Sequence, residues 1–365
     1  MLTTCGQNRG ASWALILAIV SGLGLSGPGA FAQAAKPLPA GLGDIFALGA
    51  RHPGLRVCDR ATLLPGARAK WRHKRSKLVA GAGNARHFAN DAFSLPGAQV
   101  ALHAKFTYGS ISKDLQDEDV EVVMHDCNAW RTTARVTTDR DGWAAARFTA
   151  PAEPGVHAVV FRVAGDGTMT SARIWVVPEG TAVAVFDLDG TLTTSDDEIK
   201  DEVRKDYFSR VGTGKYDPQA FPGAADVTLA ALEKGYLPVY LSGRPYWLLS
   251  HSRDWLERGK FAPGAVIHTR RHREVAPNQK GVGRFKRDVL SGLIRNKWRI
   301  ERAYGNALTD VWAYSQAGVP VSSTWIIGPH AGTSETHKVD GDWTQVAKAL
   351  RGSQSVAQPF DVKKP

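Results

Sequence analysis

Long apolar runs are almost absent from this chain. The one candidate, Trp13 to Val20 and on to Leu25, is short and interrupted by glycine for a transmembrane span, with an uncleaved membrane anchor as the alternative. No other segment approaches that length, which excludes a multi-span membrane protein and leaves a soluble or peripheral one. Charge is scarce before the run, where Arg9 stands alone, and Ala30-Phe31-Ala32 follows it. Residues 1–32 therefore read as a secretory signal peptide, and the expected location is the periplasm or outside the cell. No cysteine follows the run, which excludes lipoprotein attachment. Cysteine is scarce overall, with three in 365 residues. Cys5 leaves with the signal peptide, so Cys58 and Cys127 remain as a candidate disulfide or as two buried thiols. Aromatics are not interleaved with the basic residues in any recognisable motif, which argues against nucleic-acid binding. Internal repeats are missing too.

What is present suits two globular domains: 43% hydrophobic residues against 22% charged. The net charge of +11 favours anionic partners such as phosphate groups or an acidic membrane surface, or serves only as a solvated coat. Residues 33–95 read as an extended lead-in that can belong in part to the following domain. Within it, Arg68 to Lys77 is a basic run, a solvated loop or a contact for anionic headgroups. Over 96–178, short alternating segments such as 100–106, 120–124, 157–163 and 171–177 are separated by turn signals, including Asp141-Gly142. This pattern predicts a β-sandwich. Over 181–350 it changes to strand, helix, strand: strands at 182–186, 238–241, 265–268, 300–304 and 323–327, helices at 224–234, 247–258, 285–296 and 310–317. That alternation predicts an α/β domain built on a doubly wound parallel sheet. Residues 351–365 read as a tail.

The chemistry is concentrated in the second domain. Phe186-Asp187-Leu188-Asp189-Gly190-Thr191 follows its first strand directly, and ligands in such sheets bind beyond the carboxyl ends of the strands. Ser242, with Gly243 and Arg244, ends the second strand. Lys286 opens a helix, and Asp310 follows the fourth strand in Tyr304-Gly305-Asn306-Ala307-Leu308-Thr309-Asp310. A nucleophile, an acid/base, a hydroxyl, a cation and another carboxylate thus arrive in order, which is the set that phosphoryl transfer needs.

These stretches resemble the four motifs of the haloacid dehalogenase (HAD) superfamily, and within it the lipin-type domain. That domain is shared by the Mg²⁺-dependent phosphatidate phosphatases called lipins and by the C-terminal region of membrane-associated phosphatidylinositol transfer proteins. Lipins also pair it with an immunoglobulin-like domain, which suits the sandwich over 96–178. The resemblance rests on FDLDGTLT (186–193), GYLPVYLSGRP (235–245), HREV (272–275), RFK (284–286) and YGNALTDVWAYSQAGVP (304–320). It implies a HAD-type Rossmann-like domain in which Asp187 attacks phosphorus and Asp189 acts as acid and base. Thr191, Ser242 and Gly243 would then hold the phosphoryl group, Lys286 would offset its charge, and Asp187, Asp189 and Asp310 would bind Mg²⁺. Asn306 departs from the pattern, standing where many HAD enzymes carry aspartate. The transfer-protein branch generally lacks the nucleophile and binds phosphatidate without hydrolysis, whereas Asp187 is present here.

Little sequence is left for a cap domain: the segment from Thr193 to Phe221 holds a helix and a loop. A site with so little cover suits a substrate presented by a surface. Arg270, Arg271 and Arg273, with Arg244, are candidate headgroup contacts. The expected function is Mg²⁺-dependent hydrolysis of phosphatidate or a related lipid phosphate, with peripheral contact to an anionic membrane. The alternatives are a phosphatase for soluble or protein-bound phosphates and a non-catalytic module that binds anionic lipid.

Overall fold

A computed structural model describes residues 56–58, 68–109, 112–194 and 218–356. The expected signal peptide, most of the lead-in, most of the insert after Thr193 and the end of the tail lie outside the described residues.

The first half is a β-sandwich. Strands β1 (Arg56–Cys58), β2 (Phe88–Ala89), β3 (Ala92–Ser94), β4 (Gln99–Lys105), β5 (Thr107–Tyr108) and β6 (Lys113–Asp114) are followed by β7 (Asp119–His125), β8 (Trp130–Thr137), β9 (Trp143–Thr149), β10 (Gly155–Val163) and β11 (Met169–Val176). One sheet runs β3-β11-β10-β7-β8 with β1 on β10, another runs β2-β4-β9, and β5-β6 form a small hairpin. Alternation decides the faces. Val100, Leu102 and Ala104 of β4 and Ala144, Ala146 and Phe148 of β9 meet Val120, Val122, Val159, Phe161 and Ile174 in one core. The supposed lead-in therefore supplies three strands of the sandwich. Cys58 and Cys127 are joined as a disulfide, with Cα atoms 4.4 Å apart.

The basic run differs from expectation. It leads into helix α1 (Lys74–Gly81) rather than staying a loop. Two of its side chains are paired with the acidic strand entry: Arg72 Nη1 bonds Asp119 Oδ1 at 3.1 Å, and His73 Nε2 meets Asp117 Oδ2 at 2.7 Å. Their backbone N–H groups donate to the Glu118 carboxylate. This end of the run is neutralised by its own domain.

The second half alternates β12 (Ala182–Phe186), α2 (Ala224–Glu233), β13 (Leu237–Ser242), α3 (Leu249–Arg258), β14 (Ala265–His268), α4 (Arg284–Arg295), β15 (Arg299–Gly305), α5 (Leu308–Ala317), β16 (Thr324–Ile327), β17 (His337–Val339) and α6 (Thr344–Gly352). The sheet order is β14-β13-β12-β15-β16-β17, and every pairing is parallel. A parallel sheet needs helices on both faces, so β12, β13 and β14 are buried at every position. In β12, Val183 and Val185 pack under α4 and α5, while Ala182, Ala184 and Phe186 pack under α2, α3 and α6. The last strand and helix, β17 and α6, were not expected from the sequence; their short apolar stretches carry little periodicity.

The sandwich is tied to edge strand β14. Asn90 exchanges two hydrogen bonds with the His268 backbone, at 2.8 and 3.0 Å. The fully buried Asp91 carboxylate accepts from Val266 N at 3.0 Å, Arg173 N at 2.9 Å and the Arg253 guanidinium at 2.5 Å. An edge that would otherwise expose unpaired backbone is thereby covered.

Candidate functional site

Strand β12 enters the sheet first. The chain then builds outward to β13 and β14 on one side and to β15, β16 and β17 on the other. Its carboxyl end is therefore the topological switch point, where the connections diverge and leave a crevice. Asp187 is the first residue beyond β12, and its N–H donates to Tyr304 O at 3.0 Å. A tight turn follows. Leu188 O accepts from Thr191, Leu192 and Thr193 N–H groups, and Gly190 takes the left-handed φ of 65° that the turn requires. Asp187 and Asp189 thus enter one buried cluster, 4% and 6% exposed.

The other predicted residues converge there. Lys286, in the first turn of α4, places Nζ 2.6 Å from Asp187 Oδ1 and 2.5 Å from Asp310 Oδ1. Thr191 Oγ1 lies 3.1 Å from Asp187 Oδ2 and 3.3 Å from Asn306 Oδ1. Asp310 is pinned by the Asn306 and Ala307 N–H groups at 3.2 and 3.1 Å. Gly305 allows this close packing: a Cβ there would lie 2.7 Å from the Asp310 Cβ. Ser242 Oγ donates to Asp189 Oδ2 at 3.2 Å. Gly243 packs on Val282, whose methyls would sit 2.8 Å from an added Cβ.

Burial and neighbouring charges oppose one another in the cluster. Burial pushes the Asp187 carboxyl up to about 8; Lys286 opposes this, and the negative charges of Asp310 and Asp189 reinforce it. Burial lowers Lys286, but Asp187 and Asp310 outweigh it and hold the ammonium charged. One lysine faces two carboxylates, so the pair retains room for further positive charge.

Arg244 is placed differently from expectation. It is 1% exposed and not open to a headgroup. Its Nε and Nη2 clamp Asp189 at 2.9, 3.0 and 2.7 Å. Ser252 Oγ of α3 accepts from Arg244 Nη1 at 2.9 Å, and the Thr269 N–H and hydroxyl hold the Arg244 carbonyl. A bidentate guanidinium fixes the carboxylate's orientation as well as its charge. Ser252 and Thr269 were missed, because a helix serine and a post-strand threonine carry no motif. So was Trp343, the residue that precedes α6, whose Nε1 donates to Thr191 O at 2.6 Å.

Arg270, Arg271 and Arg273 are exposed on the loop after β14. Glu274 holds the Arg270 and Arg271 backbone N–H groups at 2.7 and 3.0 Å. Arg147 of β9 joins them from the sandwich. Burial lowers the His103 pKa, and the positive charges of Arg270, Arg147 and Arg271 lower it further. The basic patch therefore crosses both domains, a feature invisible before the two were placed together.

Comparison with known proteins fits both halves. Residues 184–328 match the LNS2 domain of PITM 1-3, and residues 85–176 match the β-sandwich domain of PITM 1-3. The C-terminal domain is of the LNS2, lipin type. The chain is similar to the protein retinal degeneration B of Drosophila melanogaster, 29% identical over 280 residues. It is similar to human membrane-associated phosphatidylinositol transfer proteins 3 and 1, 27% and 28% identical over 290 residues. These matches cover 74%, 76% and 76% of this chain but only 20%, 28% and 21% of the respective relatives. The likeness overturns the expectation of export: the two human relatives are named as membrane-associated phosphatidylinositol transfer proteins. Among the described residues no helix is long and apolar enough to cross a membrane.

Proposed function

We propose that the LNS2 domain binds the phosphomonoester headgroup of an anionic lipid, of the phosphatidate type, while docked on a membrane surface. The observation that carries this reading is the buried Lys286 ammonium at the switch point, in a cluster that also holds the hydroxyls of Thr191, on Asp187, and Ser242, on Asp189. An ammonium and two hydroxyls brought to one switch point suit a compact phosphate. The patch of Arg147, Arg270 and Arg271 supplies attraction to the surface that carries it, as juxtaposed basic residues do on anionic leaflets. The likeness to phosphatidylinositol transfer proteins points the same way.

Hydrolysis of the bound phosphomonoester is a second reading, favoured by one observation: both carboxylates of the D-x-D turn are present and convergent. Asp187 would attack phosphorus to form an aspartyl-phosphate. Asp189, oriented by Arg244 and Ser242, would move the proton to the leaving oxygen and then take one from water. The donors fit a hard divalent cation: the carboxylates of Asp187 and Asp310 both reach a single positive atom, Lys286 Nζ, within 2.6 Å. With the Asp189 backbone carbonyl, these oxygens would hold Mg²⁺, which would supply charge neutralisation between nucleophile and phosphate.

The membrane half of the proposal has its own test. Reversing Arg147, Arg270 and Arg271 to glutamate is expected to weaken sedimentation with anionic vesicles at least tenfold at low salt. Each basic residue near such a surface contributes ~1 kcal/mol. Wild-type binding should fall as salt rises toward a screening length of about 8 Å. Unchanged vesicle binding by the triple variant contradicts the assigned docking face.

A further inference from the structure

The end of the sandwich remote in sequence from the LNS2 motifs carries a second cluster of ligating side chains. The sulfurs of Cys58 and Cys127 and a ring nitrogen of His157 lie within 4.8 Å of one another. We propose that this is a redox-gated zinc site, which holds one Zn²⁺ on two thiolates and an imidazole when Cys58 and Cys127 are reduced, and is closed when they are joined as a disulfide.

The placement is built into the strands. Cys58 and His157 are direct partners in the parallel register of β1 on β10. Both are 2% exposed. Cys127 comes from the β7–β8 hairpin with φ of 73°, a left-handed conformation that residues other than glycine, asparagine and aspartate seldom adopt. Asp126 imposes it by accepting from the Asn128 and Ala129 N–H groups at 3.0 and 2.8 Å. The hairpin thus spends backbone strain on aiming this one sulfur at β1 and β10.

The surroundings match a zinc ligand shell. A ligating histidine commonly donates its other ring N–H to a backbone carbonyl, which fixes the tautomer and the ring plane. His157 Nδ1 lies 3.2 Å from His125 O, a partner that can only accept. With the proton on Nδ1, Nε2 carries the lone pair. His125 is the neighbouring support: its own Nδ1 faces Cys58 O at 3.1 Å, and its buried Nε2 has no hydrogen-bond partner. Two thiolates and an imidazole select zinc over the hard cations that suit the all-oxygen cluster at Asp187. Three protein ligands leave the fourth tetrahedral position for water.

The chemistry balances with a dithiol reductant. Its two electrons and two protons convert the Cys58–Cys127 bond to two thiols, and the reductant becomes a disulfide. Zn²⁺ then displaces both thiol protons to solvent. With export overturned, an oxidising compartment no longer dictates the bonded state.

The test uses the full chain, reduced with a phosphine, desalted without oxygen, and titrated with Zn²⁺ against a chromogenic indicator. The expected result is one tightly held Zn²⁺ per reduced chain that is absent from the disulfide form. His157→Ala should weaken it by about 100-fold, whereas His125→Ala, which keeps the backbone carbonyl that orients His157, should weaken it far less. Equal Zn²⁺ binding by the oxidised protein or by Cys58→Ser/Cys127→Ser overturns the site. If the variants fold poorly, Co²⁺ added to the reduced wild type decides. Thiolate-to-cobalt charge-transfer bands support the proposal, and their absence overturns it.

Discussion

Asp187→Asn is expected to lower any Mg²⁺-dependent release of phosphate from phosphatidate by more than about 10³-fold, since an amide is no nucleophile. The fold should persist, because Lys286 keeps Asp310 at 2.5 Å as its counter-charge. Binding should not fall with turnover. The carboxylate is the one negative group that Thr191 and Lys286 share with an incoming phosphate. Its removal relieves repulsion, so affinity for phosphatidate vesicles should hold or rise. Phosphate release and vesicle sedimentation on the same preparation read the two effects separately. Full turnover in folded Asp187→Asn contradicts the aspartyl-phosphate reading and leaves headgroup binding standing.

Asp91→Ala is expected to destabilise the protein by about 3–5 kcal/mol, the cost of removing one partner of a buried ion pair. The loss reaches further than the Arg253 contact. Asp91 also accepts from Arg173 N and Val266 N, so three donors lose an acceptor at once. Two of them lie where the sandwich covers β14. The adjacent Asn90–His268 exchange should then loosen, and with it the Thr269 anchor of Arg244. Thermal unfolding should drop by roughly 10 °C, given about 2–4 °C per kcal/mol for domains of about 150–250 residues. A shift of a degree or less shows that the two domains are coupled elsewhere.

Much of the site was legible because its residues sit at fixed offsets from strands. A carboxylate one residue beyond a buried strand has one place to go in a parallel sheet, and Asp187, Ser242, Lys286 and Asp310 all arrive there. Arg244 was misread for the opposite reason. A post-strand arginine looks free in sequence, and only the fold shows that the Asp189 carboxylate claims both arms of its fork. Arg147 escaped notice because its partners at 270 and 271 come from another domain. The sandwich was legible in its long alternating strands, but β1, β2 and β3, with two or three residues each, are too short for a period to show.

The central claim is that the pocket recognises a phosphomonoester, not merely negative charge. The most direct measurement compares binding of the full chain to two vesicle preparations of matched surface potential. One carries phosphatidate; the other carries phosphatidylglycerol, whose phosphate is a diester. Binding to phosphatidate at least tenfold tighter is expected, a difference of about 1.4 kcal/mol, and Ser242→Ala should shrink it. Equal affinity for the two surfaces would contradict the account, since it would leave only the charge attraction of Arg147, Arg270 and Arg271.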